Sequence, residues 1–128
     1  MDTDKDGNPI GFALGNLSQP RRIDALITLT KEQYETLSKG LMANDGQDSR
    51  WIVFCRGREF YFHRSWTGQR IYQASFSNLD NQGNVLDTYS CRSFFVEGNP
   101  EIYKAPESDE AIAKDFQDLI QAIISTQL

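Results

Sequence analysis

The only histidine of the chain, His63, lies in the run His63-Arg64-Ser65-Trp66-Thr67-Gly68, and Arg70 follows two residues later. Arg64 and Arg70 carry planar guanidinium forks that match phosphate and carboxylate oxygens. Trp66 offers a flat surface for a base. Gly68 permits a positive φ or a close approach of backbone to a ligand. Together these residues have the chemistry to hold an anionic, nucleotide-like small molecule, with His63 beside them. Each also has a structural use: an arginine at a strand end bonds carbonyls or an acid, a tryptophan packs in a core, and a glycine closes a turn. His63 with Ser65 or Tyr61 would instead suit a small hydrolase acting on a phosphoester or glycosidic bond, His63 serving as acid or base. Residues i and i+2 of a strand lie ~7 Å apart, too far for direct proton transfer, and no acid stands in sequence to orient His63. Binding without catalysis is therefore the first expectation, and the catalytic reading rests on His63 alone.

The elements that would position these groups follow from periodicity. Ile23, Ala25, Ile27 and Leu29 alternate with more polar neighbours, Leu26 excepted, as in a first strand. Thr30-Lys31-Glu32-Gln33 fits a capping box at a helix start, and Tyr34, Leu37, Leu41 and Met42 continue at helical spacing up to the polar stretch 44–49. Residues 51–55 are strongly β-prone, Arg56-Gly57-Arg58 is a turn, and residues 60–65 return as a strand. Further strands are expected at 70–76 and within 85–96, separated by a turn at 78–84. Ile112, Phe116, Leu119, Ile120, Ile123 and Ile124 form the apolar stripe of a last helix capped by Ser108 or Asp109. The expected fold is α+β: an antiparallel meander of about four to five strands packed against an N-terminal and a C-terminal helix. Residues 1–20, punctuated by glycine and proline, read as a flexible or loop-like arm before a single domain at 21–128. Along the fourth of these segments the pleat puts Phe60, Phe62, Arg64 and Trp66 on one face, towards the core, and points Tyr61, His63 and Ser65 outward.

Charge and composition bound the function. Thirteen Lys and Arg against eighteen Asp and Glu give a net charge of −5, which argues against general nucleic-acid or membrane-surface affinity. Between Arg50 and Arg92, however, six arginines face three acids, and the remainder of the chain carries −8. A basic sheet surface framed by acidic ends could attract a small anion or present a solvated charged face. No apolar run reaches the ~20 residues needed to span a bilayer, and the polar, acidic first nine residues are unlike a signal peptide, so a cytoplasmic protein is expected. Cys55 and Cys91 form no paired metal motif, and with one histidine neither zinc nor any other cofactor is expected. Asp2-Thr3-Asp4-Lys5-Asp6-Gly7 imitates the opening of a calcium loop, but Ala13 stands where a bidentate Glu is required.

From Trp51 through the His63–Gly68 run to Ile71-Tyr72, and again at Asn99-Pro100-Glu101-Ile102-Tyr103 before an Ile- and Leu-rich helix, the chain resembles a family of small, largely uncharacterised bacterial and phage domains. Their signature is His-Arg-Ser-Trp-Thr-Gly. Members sometimes occur beside ADP-ribose-processing domains, so the resemblance implies a role near ADP-ribose or a related nucleotide. Phe94-Phe95-Val96-Glu97-Gly98 departs from that family's charged segment, and no glycine-rich macrodomain loop is present. Three functions compete: a non-catalytic module binding an anionic small molecule or a protein partner through Arg64, Trp66, Gly68, Arg70 and His63; a phage or bacterial immunity or anti-defence protein working by protein contact; and the small hydrolase.

Overall fold

The computed structural model describes residues 16–40, 51–64 and 68–127 of the chain. Its elements run β1 (Pro20–Thr30), α1 (Lys31–Ser38), β2 (Trp51–Arg56), β3 (Glu59–Arg64), β4 (Arg70–Ser75), β5 (Ser77–Leu79), β6 (Val85–Glu97) and α2 (Asp109–Gln127). All six strands join one antiparallel sheet in the order β1-β6-β4-β3-β2, with β5 also paired to β6. The α+β architecture expected from the alternation is the one observed. β2, β3 and β4 form the meander, and the thirteen-residue β6 is long enough to pair β1 along one edge while β4 and β5 share the other.

Both helices cover the same face. Phe116 of α2 meets Phe62, Tyr72 and Phe94 at ring-centroid distances of 5.0, 4.5 and 4.4 Å, and Ile112, Ile120, Ile123 and Ile124 complete its buried stripe. Tyr34 of α1 stacks on Tyr89 at 3.8 Å and meets the edge of Phe60. Aromatic contacts of this kind add to area burial because ring edges and faces carry opposite partial charge. No helix among the described residues is long and apolar enough to cross a membrane.

Local chemistry fixes the helix ends. Thr30 Oγ1 accepts from the Gln33 amide at 3.1 Å while Gln33 Oε1 accepts from the Thr30 amide at 2.9 Å, the reciprocal box that the sequence anticipates. For α2 the cap is Ser108, whose Oγ accepts from the Ala111 amide at 3.1 Å, which leaves Asp109 to pair with Arg21 of β1. The expectation that α1 runs on through Leu41 and Met42 needs correction: the helix ends at Ser38, and Gly40 turns the chain at φ +76°. Leu41, Met42 and the polar stretch 44–49 lie outside the described residues. Gly40 is required sterically as well, since a Cβ there would stand 2.6 Å from the Val53 carbonyl oxygen.

Gly57 supplies a control for that position. It also has a positive φ, +64°, but a Cβ there would meet nothing within 4 Å. Gly57→Ala is expected to cost about 1 kcal/mol, the backbone strain alone, whereas Gly40→Ala should cost about 3 kcal/mol because backbone must also move. Urea unfolding of the two variants checks this, and equal losses would contradict the close approach at Val53.

Candidate functional site

One extra residue decides the geometry. Phe62 pairs with Tyr72 and the next residue of β3, His63, pairs with Arg70, so Ile71 is the surplus residue of a bulge in β4. A bulge reverses the alternation of side chains on its strand. Tyr72 remains on the helix-covered face, packed on Phe116, while Arg70 joins His63 on the other. Regular alternation would have kept Arg70 with Tyr72.

On that second face His63 is wholly buried, which corrects the outward, accessible histidine expected from the pleat. It stacks on Phe54 with centroids 5.5 Å apart. Its Nε2 accepts from Arg70 Nε at 3.4 Å, so Nδ1 carries the proton and donates to the Gly68 carbonyl at 3.0 Å. Burial, opposed in part by the Gly68 bond and reinforced by the Arg70 charge, brings the imidazole down to about 4. A neutral ring with both nitrogens engaged orients Arg70, and it has no free nitrogen for acid or base work.

Arg70 is only 9% exposed. Its Nη1 donates to Gln73 Oε1 at 3.1 Å, and its guanidinium lies 4.2 Å from the centroid of the Tyr61 ring. Gln73 Nε2 donates onward to Glu59 at 2.9 Å, and Glu59 also accepts from the Tyr61 hydroxyl at 2.9 Å. Burial pushes Arg70 below its ordinary value, yet a guanidinium remains a cation at neutral pH. Among the described residues no carboxylate lies within ion-pair distance of it. Among the described residues its direct hydrogen-bond acceptors are therefore neutral, and it lines a depression of about 310 Å³ together with Asn16, Leu17, Pro20, Gln73 and Phe95.

Arg64 lies elsewhere. Its guanidinium sits 4.4 Å from the Trp51 ring centroid and 5.6 Å from that of Tyr103. Trp51 stacks on Tyr72, whose hydroxyl bonds that of Tyr103 at 2.8 Å, and Tyr72 rests on Phe116. Arg64 thus belongs to an aromatic group anchored on α2, on the face of the sheet opposite Arg70. Gly68 is buried at φ +73°, and its amide donates to the Arg64 carbonyl at 2.8 Å, so it closes the β3–β4 connection. Trp66, with Ser65 and Thr67, lies outside the described residues.

Compared with known proteins, the chain matches no family model, no curated protein and no solved structure. The geometry therefore carries the reading of the site by itself.

Gln73, Phe95 and Glu97 escaped the sequence reading. Gln73 and Phe95 are register partners on β4 and β6, but they have no motif, and only their shared outward register could have marked them. Glu97 is fully buried, and its carboxylate accepts from the amides of Ser18 at 2.6 Å, Gln19 at 2.9 Å and Asn99 at 3.0 Å. Burial raises the carboxyl, but the amides of Ser18, Gln19, Asn99 and Gly98 outweigh it and hold it below the usual carboxylate range. This latch fixes the segment 16–20, read from sequence as part of a loose arm, as one wall of the Arg70 depression. A charged side chain ending an apolar strand before Gly-Asn-Pro was its only sequence signal. The two thiols are raised by burial, Cys91 to about 11, and remain protonated, each donating to a backbone carbonyl.

Stability should depend on His63 in a defined pH window. Its folded value of about 4 is below the ordinary 6.5, so between these values the unfolded chain binds more protons and stability falls as pH falls. The contribution is complete above about pH 6.5, and on the order of 3 kcal/mol is lost by pH 4. Denaturation midpoints for the wild type and for His63→Phe across this range check it: the variant should lose most of the slope. For the latch, Glu97→Gln should speed hydrogen exchange at the Ser18 and Gln19 amides about tenfold to a hundredfold, the effect of losing charge-assisted bonds. Unchanged exchange would show that other contacts hold the wall.

Proposed function

We propose that the protein is a binding module that takes the anionic group of a nucleotide-like ligand in the depression over Arg70. One observation carries this reading: a buried guanidinium, whose direct hydrogen-bond acceptors among the described residues are neutral, lines an open concavity. Burying a cation is costly unless an anion offsets it, and a phosphate or carboxylate entering from the depression would do so bidentately. Leu17, Pro20 and Phe95 supply apolar walls for the uncharged part of the ligand, and Asn16 and Gln73 supply polar edges. His63 serves as a positioning residue, because its neutral Nε2 fixes the guanidinium without competing for the anion. ADP-ribose is one ligand of this kind, and the His63–Gly68 resemblance favours testing it first.

Calorimetric titration of the full chain with inorganic pyrophosphate, AMP and ADP-ribose tests the reading. Arg70→Gln should weaken binding about tenfold to a hundredfold, while unfolding free energy falls by about 1–3 kcal/mol, the cost of leaving the buried His63 Nε2 without its donor. Arg70→Lys, which keeps the charge but not the fork, should retain part of the affinity. A large loss of stability in Arg70→Gln with ligand affinity intact would identify the arginine as a structural element and end the proposal.

A further inference from the structure

Other hollows adjoin the Arg70 depression at Phe95. Gln73 and Phe95 also line a second hollow of about 210 Å³ with Ser75 and Arg92. Ser75 and Arg92 in turn line a third hollow of about 340 Å³ towards the β5–β6 turn. The shared residues place these hollows next to one another, a discontinuous groove along β4 and β6 on the face opposite the helices.

The hollows are lined by two arginines and two acids. The acids are oriented by neutral donors: Glu59 accepts from Tyr61 and Gln73, and Asp80 accepts from the amides of Gln82 and Asn84 and from Asn84 Nδ2. Arg92 is exposed and has no hydrogen-bond or ion-pair partner among the described residues. Phe95, 40% exposed, stands between the two arginines. Since Tyr72 pairs with Val96, Arg70 and Arg92 are separated by about five strand steps, or about 17 Å at about 3.4 Å per residue. One nucleotide cannot bridge that span.

We infer that the groove accepts a short, single-stranded, phosphodiester-linked nucleotide chain of about two or three units, with one phosphate on Arg70, a base on Phe95 and a later phosphate on Arg92. This rests on the reading of Arg70 as an anion site and extends it. Aromatic stacking tolerates any base. The acidic excess outside the sheet keeps the site short, because a longer polyanion would meet repulsion beyond the groove.

The full-length chain is titrated with AMP, with the 5′-phosphorylated adenylate trinucleotide, and with an acidic pentapeptide. The trinucleotide should bind about tenfold or more tightly than AMP, with a steeper salt dependence. Arg92→Gln and Phe95→Ala should each bring the ratio of trinucleotide to AMP affinity close to one, and urea midpoints would establish that both variants fold. Equal wild-type affinities for AMP and trinucleotide, or a ratio that survives Arg92→Gln, would overturn the extended groove and leave the Arg70 site standing. Absence of binding by either nucleotide overturns both. Binding of the pentapeptide alone, weakened by Arg92→Gln, would overturn the nucleotide class.

Discussion

The surplus residue Ile71 in β4 is the constraint on which the rest of the molecule turns. Without it Arg70 would share a face with Tyr72 and meet the aromatic layer under α2, where a guanidinium would have no place among Phe62, Phe94 and Phe116. With it, one strand contributes Tyr72 to the helix-covered core and Arg70 to the opposite face, one residue apart along the sheet. Bulges are used in this way to re-aim a side chain beside a functional site. The positive φ of Gly68 completes the device, since the turn it closes brings its carbonyl onto His63 Nδ1.

Two buried charges on the sheet illustrate opposite electrostatic solutions. Glu97 gathers backbone amides from both flanking segments, and the carboxylate is stabilised within the fold. Among the described residues Arg70 receives the lone pairs of His63 and Gln73 and the face of Tyr61. The first arrangement is complete without a ligand. The second pairs the guanidinium with neutral groups among the described residues, at a residue that lines a depression. The two are coupled in space, because the segment that Glu97 holds lines the same cavity as Arg70.

The His63–Gly68 run is thus divided between two tasks. Arg64, over Trp51 and Tyr103, ties the end of β3 to the layer that packs on α2. His63 and Gly68, on the other side of the strand, orient Arg70. A single stretch of sequence therefore links the helix-covered core to the open face.

Periodicity and local capping made most of the architecture legible. The alternation of Ile23, Ile27 and Leu29, the Thr30–Gln33 box, the Gly57 turn and the Ile112–Ile124 stripe each depend on contacts within a few residues, and each appears where it was read. The inward face of Phe60 and Phe62 was legible for the same reason. The end of α1 was not, because the close approach of Gly40 to Val53 joins segments distant in sequence. Nor was the site: Arg70 and His63 were named, but their union depends on pairing register, which one extra residue in β4 changes. Gln73 and Phe95 carry no local motif, and Glu97 shows only as the charge that ends an apolar strand. The sequence by itself determined the elements and the inventory of donors and aromatics. Only the tertiary structure decided which of them share a face, because strand register is set by packing between segments remote in the chain.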